Sequence, residues 1–184
     1  MLENKEYLPE LLILGAGGYG QAVAEVAKLL NRWSKIYFVD DQWPEKKKIK
    51  GIDVVSNIKS LHEYCYGGNY QAIAAVGNNN LRRVWHERVK ALSIPLTCII
   101  HPSSTICHSA KIGEGVSIMA GCVISANVII EDGVILNIGV LLDHDVRVKE
   151  YAHLSVGVKC AGGLVVQGDS FWKTGSIITH ECIN

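Results

Sequence analysis

The sequence predicts a Rossmann-like α/β half-domain over residues 1–97, followed by a left-handed parallel β-helix over residues 98–184. Three observations predict it. Up to Leu96, apolar strand-like runs alternate with amphipathic helical ones. A glycine motif, GAGGYG at Gly15–Gly20, sits where the first strand hands over to the first helix. From Cys98 the apolar period changes to six and holds to the end of the chain.

The elements follow in order. LLILG (Leu11–Gly15) is a short apolar run closed by glycine, which reads as a buried strand. QAVAEVAKLL (Gln21–Leu30) spaces its apolar residues as a helix does. KIYFVDD reads as a second strand ending in Asp40 and Asp41, IKSLHEYC as a short helix, and QAIAAVG (Gln71–Gly77) as another buried strand. NNNLRRVWHERVKAL then reads as a helix capped by an Asn, with Leu81, Val84, Trp85, Val89 and Leu92 on one face. Alternating strands and helices imply a parallel sheet.

Steps of six from Ile100 land on Ile, Leu or Val at twelve of fourteen positions as far as Ile178; Cys160 and Trp172 are the other two. Two residues before each stands a more compact side chain, from Cys98, Ser104 and Ala110 to Ser170 and Ser176. Neither a helix nor a plain strand has this period. A hexapeptide repeat builds a triangular coil, one flat side per hexad, with every sixth side chain inside the prism. Cys98, Cys122 and Cys182 occupy compact positions and Cys160 an aliphatic one, so these thiols read as small hydrophobes. A coil of three hexads leaves flat apolar-bordered sides to cover, which predicts a homotrimer.

Composition excludes several classes. Lys+Arg and Asp+Glu both number 18, so the net charge is zero. A nucleic-acid footprint or an acidic-membrane binder needs a basic excess, which is missing. No apolar run reaches the length of a membrane span. MLENKEYLPE is charged and includes acids, unlike a signal or transit peptide. The six cysteines form no C-x-x-C pair, which fits a reduced, cytoplasmic protein.

GAGGYG matches G-x-G-x-x-G, and Asp40 follows Gly20 by 20 residues. That fingerprint brings backbone N–H groups close to a diphosphate at a helix N-terminus. NAD is the default ligand on the motif alone. The α/β part is too short for a second nucleotide half and has no domain for hydride chemistry. A different nucleotide diphosphate fits better, with Asp40 or Asp41 reading a sugar or base; a purely structural glycine turn is the alternative. Gly77 and Asn78 close the third apolar strand, where open α/β sheets hold ligands; an ordinary Asn helix cap is the plainer reading. Arg82 and Arg83 are placed where they could meet phosphate, but solvated helix charges are the plainer reading.

The stretch LLDHDVRVKEYAHLS carries His144, with Asp145 beside it, and His153 nine residues on. His144 lies two residues past an interior position and projects outward near a coil edge. Its neighbouring carboxylate can fix one imidazole tautomer and raise the ring's basicity. Half a coil separates the two histidines, so one chain sets them on different sides of the prism. They share a site only if neighbouring chains contribute one each. Surface histidines without a role are one alternative; a zinc site of three histidines from two chains is another, but no third ligand presents itself.

These features together resemble the hexapeptide-repeat sugar O-/N-acyltransferase family that includes sialic acid O-acetyltransferases. Within it the sequence is most similar to bacterial UDP-4-amino-sugar N-acetyltransferases of the bacillosamine pathway. The resemblance runs over GAGGYG, FVDD, AVGNNNLRR, VILN, HDVRV, AHLSVGVKCAG and SFWKTGS, most of the chain. It implies acetyl-CoA as co-substrate and no metal. It implies His144 as catalytic base and Asp145 as the carboxylate raising its basicity. By the same resemblance His153 contacts acetyl-CoA, and a backbone contact to the CoA arm falls at Thr174. Gly17, Gly18 and Tyr19 match the loop cradling the UDP-sugar, with Asp40, Asp41 and Gly77 as further contacts. The chain departs from the family at Tyr19, where relatives often carry His, and at Trp172-Lys173, where Ile-Gly is usual. It also stops at Asn184, where relatives typically continue for another coil, which leaves open a CoA site that is incomplete, weak or closed differently.

The implied activity is acetyl transfer from acetyl-CoA to the amino group of a UDP-4-amino-dideoxy sugar, by direct attack with His144 as base. No cysteine is placed to form an acyl-enzyme. The alternatives are O-acetylation of a sugar or sialic acid, and a catalytically weak trimer that binds nucleotide sugars.

Overall fold

The computed structural model describes residues 8–182, without the side chain of Cys182. The readings of the N-terminal segment before Leu8 and of the Cys182 thiol lie outside the described residues. The chain divides into two compact units. One runs to Val76 and resumes over Val84–Thr97; the other takes Gly77–Arg83 and continues from Cys98.

The first unit contains β1 (Glu10–Leu14), α1 (Gly18–Leu30), β2 (Ile36–Val39), β3 (Lys48–Ile49), β4 (Ile52–Ser56), α2 (Leu61–Tyr64) and β5 (Tyr70–Ala74), and most of α3 (Asn79–Ala91). The sheet order is β3-β4-β2-β1-β5. In β1, Leu11 to Leu14 are wholly buried, as a central parallel strand covered on both faces requires. Helix α1 begins inside the glycine motif, earlier than its apolar periodicity indicates, and ends on Asn31 in the left-handed region (φ 50).

Two features differ from the sequence reading. The β3–β4 pair is an antiparallel edge hairpin, joined by Lys50 and Gly51 with φ of 49 and 81. Two successive positive φ values make the mirror-type turn that matches strand twist. On α3, Trp85 and Val89 enter the core, but Leu81 and Val84 are 39% and 55% exposed. Arg82 lies fully buried between them.

The second unit is the left-handed parallel β-helix. Two-residue strands run from β6 (Ile99–Ile100) to β19 (Ile177–Ile178), six residues apart. They fall in turn into three parallel sheets. Each strand pairs with the one a full 18-residue coil on: Val123–Ile124 with Leu141–Leu142 (β13), Ile129–Ile130 with Arg147–Val148 (β14), Ile135–Leu136 with His153–Leu154 (β15). One core runs up the prism. It takes the aliphatic position (Ile118, Ile124, Ile130, Leu136, Leu142) and also the compact one (Val116, Cys122, Val128, Val134, Val140). Both hexad positions therefore face inward.

The corners have their own rule. From Gly115 to Gly175 every sixth residue has positive φ, and seven of those eleven are glycine. The exceptions are Asn127, Asp145, Tyr151 and Asp169. Asn and Asp tolerate this region better than other side chains because their short polar groups bond locally. Corner N–H groups also reach the coil below: Asp145 donates to the Ala126 carbonyl at 2.9 Å and Gly163 to that of His144 at 2.8 Å. No helix among the described residues is long and apolar enough to cross a membrane.

Candidate functional site

In the first unit, the four glycines of GAGGYG serve different needs. Gly15 has φ +98, and a Cβ there would lie 3.1 Å from the Ala75 carbonyl oxygen and 3.3 Å from Trp85. At Gly20 a Cβ would fall 1.9 Å from the Gly15 oxygen, so no side chain fits. Gly17 and Gly18 are exposed with open space around them. Gly17 caps α1 without a side-chain hydrogen bond, at the helix end whose dipole favours an anion. Asp40 braces this loop: one carboxylate oxygen accepts the Ala16 N–H at 2.8 Å, the other the Gln42 N–H at 3.0 Å. Asp41 is exposed and Tyr19 half-buried.

In the second unit, His144 occupies the corner between β13 and β14. Its main chain is tied on both sides: Asp143 N–H donates to the Cys160 carbonyl at 3.1 Å, and the His144 carbonyl accepts from Gly163. The Asp143 side chain accepts the His144 N–H at 2.7 Å. The imidazole is exposed, and its Nδ1–H donates to Asp145 at 2.8 Å. Nε2 then carries the lone pair and is the proton acceptor. Asp143 approaches Nε2 at 4.0 Å. The hydrogen bond to Asp145, then the charge of Asp143, hold the imidazole pKa above its usual 6.5. His144 and then Asn127, both donating to it, hold the Asp145 carboxyl below the usual range. Asn127 reaches it at 3.1 Å from the coil below. On the coil above, a Cβ on Gly162 would lie 2.7 Å from His144 Nε2.

His153 lies on β15, a different side of the prism, and is 7% exposed. Its Nδ1–H donates to the Gly77 carbonyl at 3.2 Å, and its ring stands edge-on to Phe171 with centroids 4.9 Å apart. Burial, the largest influence, pushes its pKa down, so it is neutral at pH 7. A shallow cavity of about 430 Å³ does not reach it; the nearer one, of about 290 Å³, is lined by Gly77, Asn78, Asn79, Asn80, Asp169 and Phe171. Thr174 is exposed at the corner after β18 (Phe171–Trp172).

The structure thus brings together His144 with Asp145, His153 with Gly77, and Asp40 with the glycine loop. It does not bring His144 to His153 within one chain. Among the described residues no three His, Cys, Asp or Glu side chains are grouped to hold a metal ion. Burial pushes the Cys65 and Cys160 thiols up to about 11, the state of inert core thiols.

Arg82 is a correction. It is not a solvated charge but a buried fork: Nε donates to the Gly133 carbonyl at 2.7 Å, and a terminal nitrogen to the Tyr151 carbonyl at 2.6 Å and to Asn79 at 3.0 Å. Arg83 pairs with Asp169 at 2.7 Å and lies 4.1 Å above the Tyr151 ring. Hydrogen bonds to the Gly133 and Tyr151 carbonyls make a buried guanidinium favourable here. Asn127 and Gly162 were also missed. Stepping 18 residues from Asp145 and His144 finds both.

Comparison with known proteins agrees with this architecture. Residues 10–89 match the PglD N-terminal domain family. The GDP-perosamine N-acetyltransferase of Escherichia coli O157:H7 is 29% identical, over 94% of this chain and 79% of its own. The UDP-N-acetylbacillosamine N-acetyltransferase of Bacillus subtilis is 29% identical over 61% of this chain and 52% of its own. Among solved structures, the acetyltransferase domain of PglB from Neisseria gonorrhoeae, in complex with acetyl coenzyme A, superposes with a TM-score of 0.77 at 28% identity. That match covers 93% of each chain.

Proposed function

We propose that this chain, whose residues 10–89 match the PglD N-terminal domain family and which resembles a nucleotide-amino-sugar N-acetyltransferase along nearly all its length, is itself such an enzyme. It moves the acetyl group of acetyl-CoA to the 4-amino group of a nucleotide-linked dideoxy sugar. The observation that carries this reading is the His144–Asp145 pair, with Nδ1 bonded to the carboxylate and Nε2 open.

The chemistry follows from that tautomer. An amine nitrogen attacks the thioester carbonyl and sheds a proton as the C–N bond forms. His144 Nε2 takes that proton, and Asp145 stabilises the imidazolium. Collapse of the tetrahedral adduct breaks the C–S bond, and the proton passes to the departing thiolate. Asp143 adds negative charge beside the ring, which favours the protonated state further. Gly17, Gly18 and Tyr19 cradle the diphosphate and sugar, with Asp40, Asp41 and Gly77 as further contacts. His153 and Thr174 face the CoA arm.

The working unit is a homotrimer in the cytoplasm. Val123, Leu141 and Ile177 stand 44%, 37% and 62% exposed on one sheet, with Ile138 and Val156 exposed at a nearby corner. An apolar surface of this kind supports an interface. His144 and His153 point from different sides, so a site using both takes one from each of two copies.

The nucleotide is UDP on the sequence resemblance, whereas the match covering more of the chain is to a GDP-perosamine enzyme. An acceptor panel decides this. Thiol release from acetyl-CoA is followed with a UDP-4-amino sugar, GDP-perosamine and their 4-hydroxyl counterparts. Turnover with a 4-amino acceptor is expected. Turnover confined to hydroxyl acceptors makes it an O-acetyltransferase, and binding without turnover makes it a nucleotide-sugar-binding protein.

A further inference from the structure

The carboxylate beside His144 is oriented from a different coil. Asn127 lies 18 residues before Asp145, directly below it in the corner column. Its side-chain amide donates to Asp145 Oδ1 at 3.1 Å, while Oδ2 accepts His144 Nδ1–H at 2.8 Å. A carboxylate held at one oxygen has its other oxygen aimed. We propose that Asn127 is a positioning residue for the reaction: through Asp145 it holds His144 in the tautomer whose Nε2 is open to the acceptor. This rests on the reading of His144 as the base.

The backbone makes the case independently of the hydrogen bond. Asn127 and Asp145 have φ of 60 and 59, in a region that glycine occupies at seven of the eleven equivalent corners. Glycine suits such a corner better than any side chain, and the next residue up this column is Gly163, with φ 70. Two adjacent coils of this column instead carry side chains, and those two side chains bond each other. The Asn127 main chain is anchored as well, its N–H donating to the Ser109 hydroxyl at 2.9 Å. The amide therefore hangs from a fixed corner and reaches upward to Asp145. Asp145 is solvent-exposed, and without the amide its carboxylate turns freely about its side-chain bonds. A free imidazole has no preference for the Nδ1–H form, so orientation of the carboxylate becomes orientation of the base.

Asn127→Gly is the test, because glycine keeps the left-handed corner and removes only the amide. The melting temperature is expected to hold or rise. With acetyl-CoA and the nucleotide amino sugar, kcat falls roughly 3- to 10-fold, the worth of one hydrogen bond. Both KM values stay within about twofold, as for a group acting in the chemical step. Nitrogen-15 NMR of the His144 ring shows the Nδ1–H form in the wild type and a mixture in Asn127→Gly. Asn127→Asp also tolerates the corner but sets a second acceptor against Asp145, so it fails to restore the rate. In an Asp145→Asn background, Asn127→Gly adds no further loss. An unchanged tautomer and unchanged kcat in Asn127→Gly overturn the proposal. The tautomer reads the coupling without turnover. A shifted tautomer beside a fully active His144→Ala enzyme sinks the base assignment while the coupling stands.

Discussion

Replacing Gly162 with alanine separates the position of the base from its presence. Gly162 sits one coil above His144, and its φ lies outside the left-handed range, so alanine meets no backbone penalty. The added Cβ would stand 2.7, 2.8 and 3.1 Å from Nε2, Cε1 and Cδ2 of the imidazole. Ordinary contact starts at 3.4 Å, so the ring must yield by about 0.7 Å. It is exposed and free to do so, and the fold loses little. Its 2.8 Å bond to Asp145, however, does not survive such a swing intact. A displacement approaching 1 Å near the chemistry costs on the order of 10²-fold in rate. Gly162→Ala is therefore expected to lose roughly 10- to 100-fold in kcat, with little change in melting temperature or sugar affinity. Steady-state thiol release, thermal unfolding and calorimetric titration with the nucleotide sugar measure the three quantities. Activity within about twofold of wild type refutes the reasoning, since a misplaced imidazole then suffices.

Other expectations follow from the same geometry. The base works when neutral, so kcat/KM rises with pH through a His144 pKa held above 6.5. Asp145→Asn lets that pKa fall, moving the acid limb to lower pH while kcat drops; a pH–rate profile of each form checks it. Arg82→Ala removes the buried donors to the Gly133 and Tyr151 carbonyls, with an expected loss of about 2–5 kcal/mol in chemical denaturation. His153 has a folded pKa below its unfolded 6.5, so the unfolded chain binds the proton first as pH falls. Stability is full above that pH and declines below it, and His153→Gln flattens the difference between urea midpoints at about pH 7.5 and about pH 5.5.

Much of this was legible because the β-helix writes its geometry into spacing. Both members of each hexad pair, such as Val140 and Leu142, fill the prism, so the pattern repeats twice per side. His144 and Asp145 were readable because they are adjacent. Gly15 and Gly20 follow from a motif whose glycines have fixed duties. The residues that escaped depend on contacts distant in sequence. Arg82 reads as a surface charge because its partners are main-chain carbonyls 51 and 69 residues away. With that arginine buried, Leu81 and Val84 turn outward against their hydrophobic pattern. The β3–β4 hairpin hides in the lysine-rich KKKIKG, where a short charged edge strand gives no apolar alternation. Asn127 and Gly162 emerge only when the coil length is applied to the histidine corner.

The most direct measurement is single-turnover acetyl transfer by wild type and His144→Ala, at substrate concentrations shown by calorimetry to saturate both. Wild type is expected to place one acetyl group on the sugar nitrogen, with a loss on the order of 10²–10⁴ in His144→Ala and intact binding of both substrates. A loss below about tenfold with saturated sites contradicts the assignment of His144 as the base.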